Sequence, residues 1–388
     1  MENFRLNQEM TLNRFLIPRA NLRAVCSNLS HFEILAGKNG GQLLKVLATK
    51  MSENSHPTYR QSILNKPTYG YPGPAPKTPS TVEVLVEWID AVSFWKDRTR
   101  LIPAAYAAYH FATFCIFAWF FATHFSIAAV LTVILFACFI GTVYNTVWYH
   151  RYCSHQAFKF RSIWFARLFL WTNPTCFREE SYVIPHRIHH SQSDKPGDPY
   201  GPHLGWLGSY LATETQQKTD RKLSAGEYER LVKSLKHVGF VSNSYRQYQL
   251  TGSVETVWHY FAHCVFTHVF WGGLAWLVAG WWGVWVWISA NFLFTFIVRD
   301  FNYRGHSALT GTKKHGEPAN QFVYGLIAGE WHENHHNYPR LARSGLRWWQ
   351  VDVPYWIILG MKTCGMVTQC NSRLPSTTFQ QADSQIVV

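Results

Sequence analysis

The sequence predicts an all-α integral membrane protein with four transmembrane helices, arranged as two hairpins. Three observations predict it. From Ile102 to His150, and again from Thr256 to Val298, the chain contains no Asp, Glu, Lys or Arg. A bilayer crossing needs roughly 20 apolar residues, so each window is long enough for two crossings and a tight turn. Charged residues make up 15% of the 388-residue chain and aromatics 16%, too few charges to wet a large soluble surface unless charged and apolar residues are segregated. The mean hydropathy of -0.12 is then an average over two apolar hairpins and a polar body, and describes neither. The same composition excludes a long disordered chain, a collagen-like repeat and a small disulfide scaffold.

Taken in order, residues 1–98 read as a cytoplasmic N-terminal extension, partly disordered. Pro67, Pro72, Pro74, Pro76 and Pro79 make its later part an extended, non-helical linker. Residues 1–50 hold no long apolar core ending in a small-residue cleavage site, so no secretory signal is expected. Met51 is a candidate start; N-terminal sequencing that finds residues 1–50 intact rejects it. Residues 99–370 form the main domain, with spans at about 103–122, 127–148, 257–278 and 284–304. The first turn falls near Ala122–Ser126. The second falls in Gly280-Trp281-Trp282-Gly283, where glycine permits reversal and tryptophan suits the interface. Ser162–Trp171 and Trp348–Leu359 read as amphipathic, Trp-anchored helices lying on the membrane. Residues 371–388 read as a disordered tail.

Both turns are uncharged, whereas all 36 Lys and Arg lie before, between or after the hairpins, with Arg299 and Arg304 placed beyond the hydrocarbon on a continuation of the last helix. By the positive-inside rule the N-terminus, the 151–255 segment and the C-terminal region face the cytoplasm. The formal charge of +13 thus records topology, with attraction to anionic headgroups or a carrier's phosphates. No nucleic-acid-binding motif accompanies it, so no nucleic-acid partner is expected. The eight cysteines form no C-x-x-C pair, which suggests buried, reduced thiols.

Nine of the 19 histidines fall into four groups: His150 with His155; His186, His189 and His190; His306 alone; and His332, His335 and His336. On an α-helix, H-x-x-H-H places its first residue about 60° from the second and about 40° from the third, so all three imidazoles can converge on one side. His150 and His155 stand about 140° apart, straddling a helix face. That suits ligands for two different metals, or one metal approached from both flanks. Each group lies at or just past a cytoplasmic helix end. A lone histidine is more often a polar surface residue, but two H-x-x-H-H repeats with two further groups are not explained that way. Nine ligands exceed what one ion uses, which argues for two metals. Zinc prefers a closed four-ligand site, whereas iron accepts five or six ligands with open positions. His259, His263 and His268 lie in the third span; hydrogen bonds to neighbouring helices are their expected role, with a metal pair at His259 and His263 the sharper alternative. His110 and His124 are expected to make interhelical or interfacial contacts. Arg151 and Arg187 either steer anionic headgroups or brace the site.

His150-Arg-x-x-x-His155, His186-Arg-x-His-His190 and His332-x-x-His-His336 together resemble the membrane-bound fatty acid desaturases of the delta-9, stearoyl-CoA desaturase type. The resemblance covers about 100–345 and includes Asp198-Pro199, the stretch from His203 to Leu207, and Asn302 four residues before His306. It implies a cytoplasmic helical cap holding a di-iron site. There the nine histidines bind two Fe2+ ions and Asn302 holds a water on one of them, with no separate acid or base. It further implies an O2-dependent enzyme that places a cis double bond, at delta-9, in the saturated chain of an acyl-CoA or acyl-lipid. Its electrons would come from an external b-type cytochrome or ferredoxin, because the chain carries no Rossmann glycine fingerprint, iron–sulfur cysteine set or His-Pro-Gly-Gly haem motif. The protein would sit in a bacterial inner membrane or the endoplasmic reticulum, with active site and both termini cytoplasmic. The chain departs from the family at Gly329-Glu330-Trp331-His332, one residue shorter than G-E-G-x-H, at Glu333 inside the third box, and in Phe177–Tyr182. Two alternatives stand beside this reading. A related di-iron lipid hydroxylase would use the same ligands. A non-enzymatic membrane metal-binding or transport protein would need ligands within the spans, as at His259 and His263.

Overall fold

The computed structural model describes residues 63–65, 78–193, 197–306, 322–329 and 331–374. The proposed start at Met51, the prolines at 67, 72, 74 and 76, and residues 375–388 lie outside them. The first helix, α1 (Thr81–Val92), begins with a capping box: the Ser80 hydroxyl accepts from Glu83 N–H, and the Glu83 carboxylate accepts from Ser80 N–H. It lies within the stretch read as an extension and exposes Val82, Leu85, Val86 and Ile89, the i, i+3, i+4, i+7 stripe of an amphipathic helix.

Among the described residues, three helical runs are long and apolar enough to cross a membrane: Arg98–His124, Ile127–Ser154 and Val257–Arg304. The first contains α2 (Leu101–His124), and Phe125-Ser126 links it to α3 (Ile127–Phe139), whose N-terminus is capped by the Ser126 hydroxyl on Ala129 N–H. The sequence expectation of separate spans at 257–278 and 284–304 is met by one run, α10 (Val257–Arg304), interrupted rather than ended. Ala279 (φ -144°, ψ 22°) and Gly280 (φ 58°, ψ -150°) leave the helical region. The positive φ at Gly280 is one that residues with a Cβ rarely adopt. A Cβ on Gly283 would collide with the Ala275 carbonyl eight residues back, and the His268 and Trp287 rings stand 5.2 Å apart. In a straight helix residues eight apart are separated by about 12 Å. The chain therefore folds back within α10.

The second run changes character midway. After α3 the backbone continues as a π-helix over Ile140–Ser154, nearly all of it buried. Then come strand β1 (Phe158–Phe160) and α4 (Ile163–Thr172), capped by Ser162 and exposing Ile163, Trp164 and Leu168. Next are α5 (Glu179–Gln192), the short α6 (Gly205–Tyr210) and α7 (Ala212–Thr215), and the capped helices α8 (Ala225–Leu235) and α9 (Tyr245–Thr251). After α10 stand α11 (Phe322–Ala328), α12 (His332–Asn337), α13 (Val353–Thr363) and β2 (Val367–Cys370), which pairs antiparallel with β1. Helix α13 starts at 353 because Pro354 fixes its first turn and the Asp352 carboxylate caps Tyr355 N–H at 3.0 Å. Trp348 and Trp349 precede it, both exposed.

Two large apolar cores and one small cluster (Tyr200, Leu204 and Ala212) form among the described residues. One packs Phe120, Val133, Ile140, Val286, Phe294 and Ile327 between the long helices. The other packs Trp148, Tyr152, Ile184, Ile188, Leu231 and Tyr248. Arg151 and Arg187 brace the seam and do not reach the surface. Arg151 donates to the Ala342 carbonyl and pairs with Asp352 at 2.8 Å, while Arg187 donates to the carbonyls of Cys153 and Ser154 at the end of the π-helix. The thiols are not uniformly buried: Cys153 and Cys176 are, but Cys115 and Cys364 are exposed.

Candidate metal centre

The three histidine boxes ride on three elements: the π-helix, α5 and α12. His306 stands two residues beyond the end of α10. The π-helix alters the sequence-based geometry of the first box. His155 N–H donates to the His150 carbonyl at 3.2 Å, the i→i+5 bond of that helix. Five residues make roughly one π-turn, so both rings leave the same side instead of straddling it.

Nine imidazoles consequently collect into two sets. His150, His155, His186, His190 and His335 form one; His189, His306, His332 and His336 form the other. Within each set one ring nitrogen from each histidine lies within 4.8 Å of all the others. Each H-x-x-H-H box is divided between the sets, against the expectation that its three rings converge. His186 and His190, at i and i+4, face the five-histidine set while His189 turns away to the other. His332 and His336 face the four-histidine set while His335 turns to the first. The i+3 and i+4 positions differ by about 100° around an α-helix, enough to aim at separate points.

The nitrogens that converge are Nε2. His150 and His335 approach to 2.6 Å, His155 and His186 to 3.0 Å, His186 and His190 to 3.2 Å, and His190 and His335 to 3.1 Å. In the second set His332 stands 3.1 Å from both His306 and His336. Burial, reinforced by neighbouring imidazoles, holds His155, His186, His189, His190, His332, His335 and His336 well below the usual histidine value of 6.5, and so neutral. Neutral rings tied through Nδ1 present bare Nε2 lone pairs to a common point. Two such rings are His189, whose Nδ1 meets Asp198 at 2.9 Å, and His186, whose Nδ1 meets the Tyr200 hydroxyl at 2.8 Å. A divalent cation satisfies that arrangement, and the all-nitrogen donor set suits iron.

A cavity touches both sets. Tyr106, Asn145, Tyr149, Phe177, Tyr182, Phe294, Val298 and Phe301 form its walls, and His150, His186, His189, His306 and His332 project into it. Asn302 lies on the same wall, beside His306. The aromatic side is stiff: Tyr149 stacks on Tyr182 at 5.0 Å, Tyr106 meets Phe177 at 5.2 Å, and the Tyr149 hydroxyl donates to the Phe177 carbonyl at 2.6 Å.

Other candidates are placed elsewhere. His259 pairs with Glu255 at 2.7 Å, His263 meets the Thr267 hydroxyl at 3.2 Å, and neither joins a metal-like set among the described residues. His110 meets the Tyr210 hydroxyl at 2.8 Å, and His124 meets Thr123 and stacks on Phe120. Asp198 and Tyr200 are positions that the sequence reading gave no role, although Asp198-Pro199 was the signal available. The shortened approach to the third box is achieved by positive φ at Gly329 (137°) and Trp331 (53°), with Trp331 Nε1–H anchored on the Val351 carbonyl.

Residues 126–353 match the fatty acid desaturase family. The chain is 30% identical over 243 residues to a probable chloroplastic lipid desaturase of Arabidopsis thaliana, covering 62% of each protein. It is 26% identical over 257 residues to Delta-9 acyl-lipid desaturase 1 of the same plant, covering 63% of this chain and 76% of that one. To an acyl-CoA 5-desaturase of Anemone leveillei it is 28% identical over 255 residues, covering 62% and 70%. The chain thus spans less than two thirds of the first of these relatives.

Proposed function

The chain belongs to the fatty acid desaturase family, and we propose that it is an O2-dependent fatty acyl desaturase that forms a cis double bond, at delta-9, in a saturated chain held at the membrane. The carrying observation is an aromatic-walled cavity that touches both histidine sets. An acyl chain is apolar and unactivated, so a narrow apolar slot beside a strong oxidant is the chemistry it requires. In the balanced reaction one –CH2–CH2– unit becomes –CH=CH–, O2 takes four electrons, two from the chain and two from a donor, and two protons complete two waters.

Iron held in both sets would supply the O2-derived oxidant that acid–base side chains cannot provide. His150, His155, His186, His190 and His335 would hold one ion; His189, His306, His332 and His336 the other, with Asn302 holding a water beside the second. The protein's own part is positioning and dryness. Tyr149, Phe177 and Tyr182 line one side of the acyl chain, and Phe294, Val298 and Phe301 the other. The burial of Tyr149, Phe294 and Phe301 keeps water from the reacting carbons.

The charge-free helices and the reversal within α10 support four crossings, with the histidine cap and both termini cytoplasmic. A b-type cytochrome or ferredoxin supplies electrons, and the substrate is an acyl-lipid or acyl-CoA; relatives named for each class are similar to this chain. The test is expression in a desaturase-deficient host with an active donor, followed by mass spectrometry of total fatty acids and localisation of the double bond. A new monounsaturated chain is expected. A hydroxylated chain would favour the hydroxylase alternative, and an unchanged profile would reject the assignment.

A further inference from the structure

One short loop touches both histidine sets. Asp198 and His189 are both fully buried, and the Nδ1–H of His189 donates to the carboxylate, 2.9 Å from each oxygen. Two residues on, the Tyr200 hydroxyl lies 2.8 Å from His186 Nδ1 while the Tyr200 ring stacks on His189 at 4.4 Å. Tyr200 N–H donates back to Asp198 at 3.2 Å, which fixes the spacing between the two contacts. His189 belongs to the four-histidine set and His186 to the five-histidine set. With Nδ1 engaged, His189 keeps a buried Nε2 that has no hydrogen-bond partner, the free lone pair of a ligand.

We infer that the loop over 197–201 positions one ligand in each metal site by two separable contacts: Asp198 orients His189 for the four-histidine site, and Tyr200 orients His186 for the five-histidine site. This rests on the reading that both sets hold metal. Partners of this kind fix the tautomer and ring direction of a ligating imidazole and raise its basicity; their loss typically costs 10–100-fold in metal affinity. The two partners are chemically unequal, so their removal has unequal effects. Asp198→Asn keeps size and an oxygen but removes the charge. Tyr200→Phe keeps the ring stack on His189 and removes only the hydroxyl.

The experiment is equilibrium dialysis of the full-length, detergent-solubilised apoprotein against ferrous ion under anaerobic conditions, with metal analysis and Mössbauer spectra. His189→Ala and His186→Ala assign the spectral components. Two irons are expected in the wild type. Asp198→Asn should weaken one site roughly 10–100-fold and shift the His189 component alone. Tyr200→Phe should weaken the other by less and shift the His186 component alone. Wild-type affinity and spectra in both variants overturn the inference. So does equal loss of both components in either variant, the result that a purely structural loop predicts, with a lowered unfolding midpoint of the metal-free protein. Fewer than two irons in the wild type rejects the metal reading itself, before either variant is considered.

Discussion

Two buried polar clusters in this molecule handle charge in opposite ways. Nine histidines form one, eight of them with Nε2 atoms facing a neighbour's at 2.6 to 3.2 Å. The other gathers Glu179, Glu180 and Glu255 around Arg178 and His259. Arg178 pairs with Glu180 at 2.7 Å and Glu255 at 3.1 Å, His259 meets Glu255 at 2.7 Å, and Trp148 Nε1–H donates to Glu179 at 3.0 Å. The second cluster closes on itself through its own ion pairs; the first brings neutral imidazoles together in an arrangement that could hold metal ions. Composition alone does not separate them, since His259 and His263 stand at i, i+4 as His186 and His190 do. What the partner atoms are decides which cluster binds and which braces.

Removing one ligand should give the largest effect. His335→Ala takes away a ring that meets both His150 and His190. Its iron content should fall by one ion per chain and its desaturation below detection, with the carboxylate cluster intact. A variant retaining two irons and activity would break the comparison. Next, Arg178→Met leaves Glu180 and Glu255 buried without their cation, which should destabilise the fold by about 3–5 kcal/mol in thermal or denaturant unfolding. The folded fraction should still bind two irons.

The clusters should also answer pH with opposite sign. In the metal-free fold the buried imidazoles named above sit below 6.5, the value the unfolded chain keeps. As pH falls below about 6.5 the unfolded state takes up more protons, so this stability is full above that pH and is lost below it. Glu179 runs the other way. Burial first, and the Glu255 charge second, push it up from 4.5 to about 8. Between those values the fold retains a proton that the unfolded chain has released, so stability is full below about 4.5 and declines as pH rises through about 8. Unfolding midpoints of apoprotein across pH should show both limbs, and Glu179→Gln should reduce the alkaline limb, leaving the share of Glu180, whose carboxyl burial also pushes up. An alkaline limb undiminished in that variant would refute the Glu179 account.

Smaller effects sharpen the contrast. A Cβ on Gly141 would collide with the backbone of Ile327 where the π-helix meets α11. Gly141→Ala should cost about 1–3 kcal/mol and lower iron occupancy, because that seam lies between the first box and the approach to the third. Trp348→Ser, at an exposed position, should change the unfolding stability by no more than about 0.5 kcal/mol and leave iron content unchanged.

The sequence made parts of this architecture legible because they depend on composition. Charge-free windows mark the apolar helices; eight histidines of the two sets were identifiable from box spacing, and His306 from its place at the end of the last span and the family resemblance. Their division between sets was not. An α-helix and a π-helix can be built from the same apolar residues, and only the i→i+5 bond at His155 turns a 140° offset into one face. Asp198 and Tyr200 were missed as positioning residues because their role arises from a loop returning to α5, which no local periodicity records. Helix α1 was hidden behind the prolines preceding it, although Ser80 and Glu83 spell a capping box.

The most direct test of the central claim is product analysis of the iron-loaded, donor-coupled protein under heavy-isotope dioxygen. The account predicts an acyl product two hydrogens lighter than its substrate, with no heavy oxygen in the chain and all of the label in water. Heavy oxygen retained on carbon, or a saturated chain returned unchanged, would contradict it.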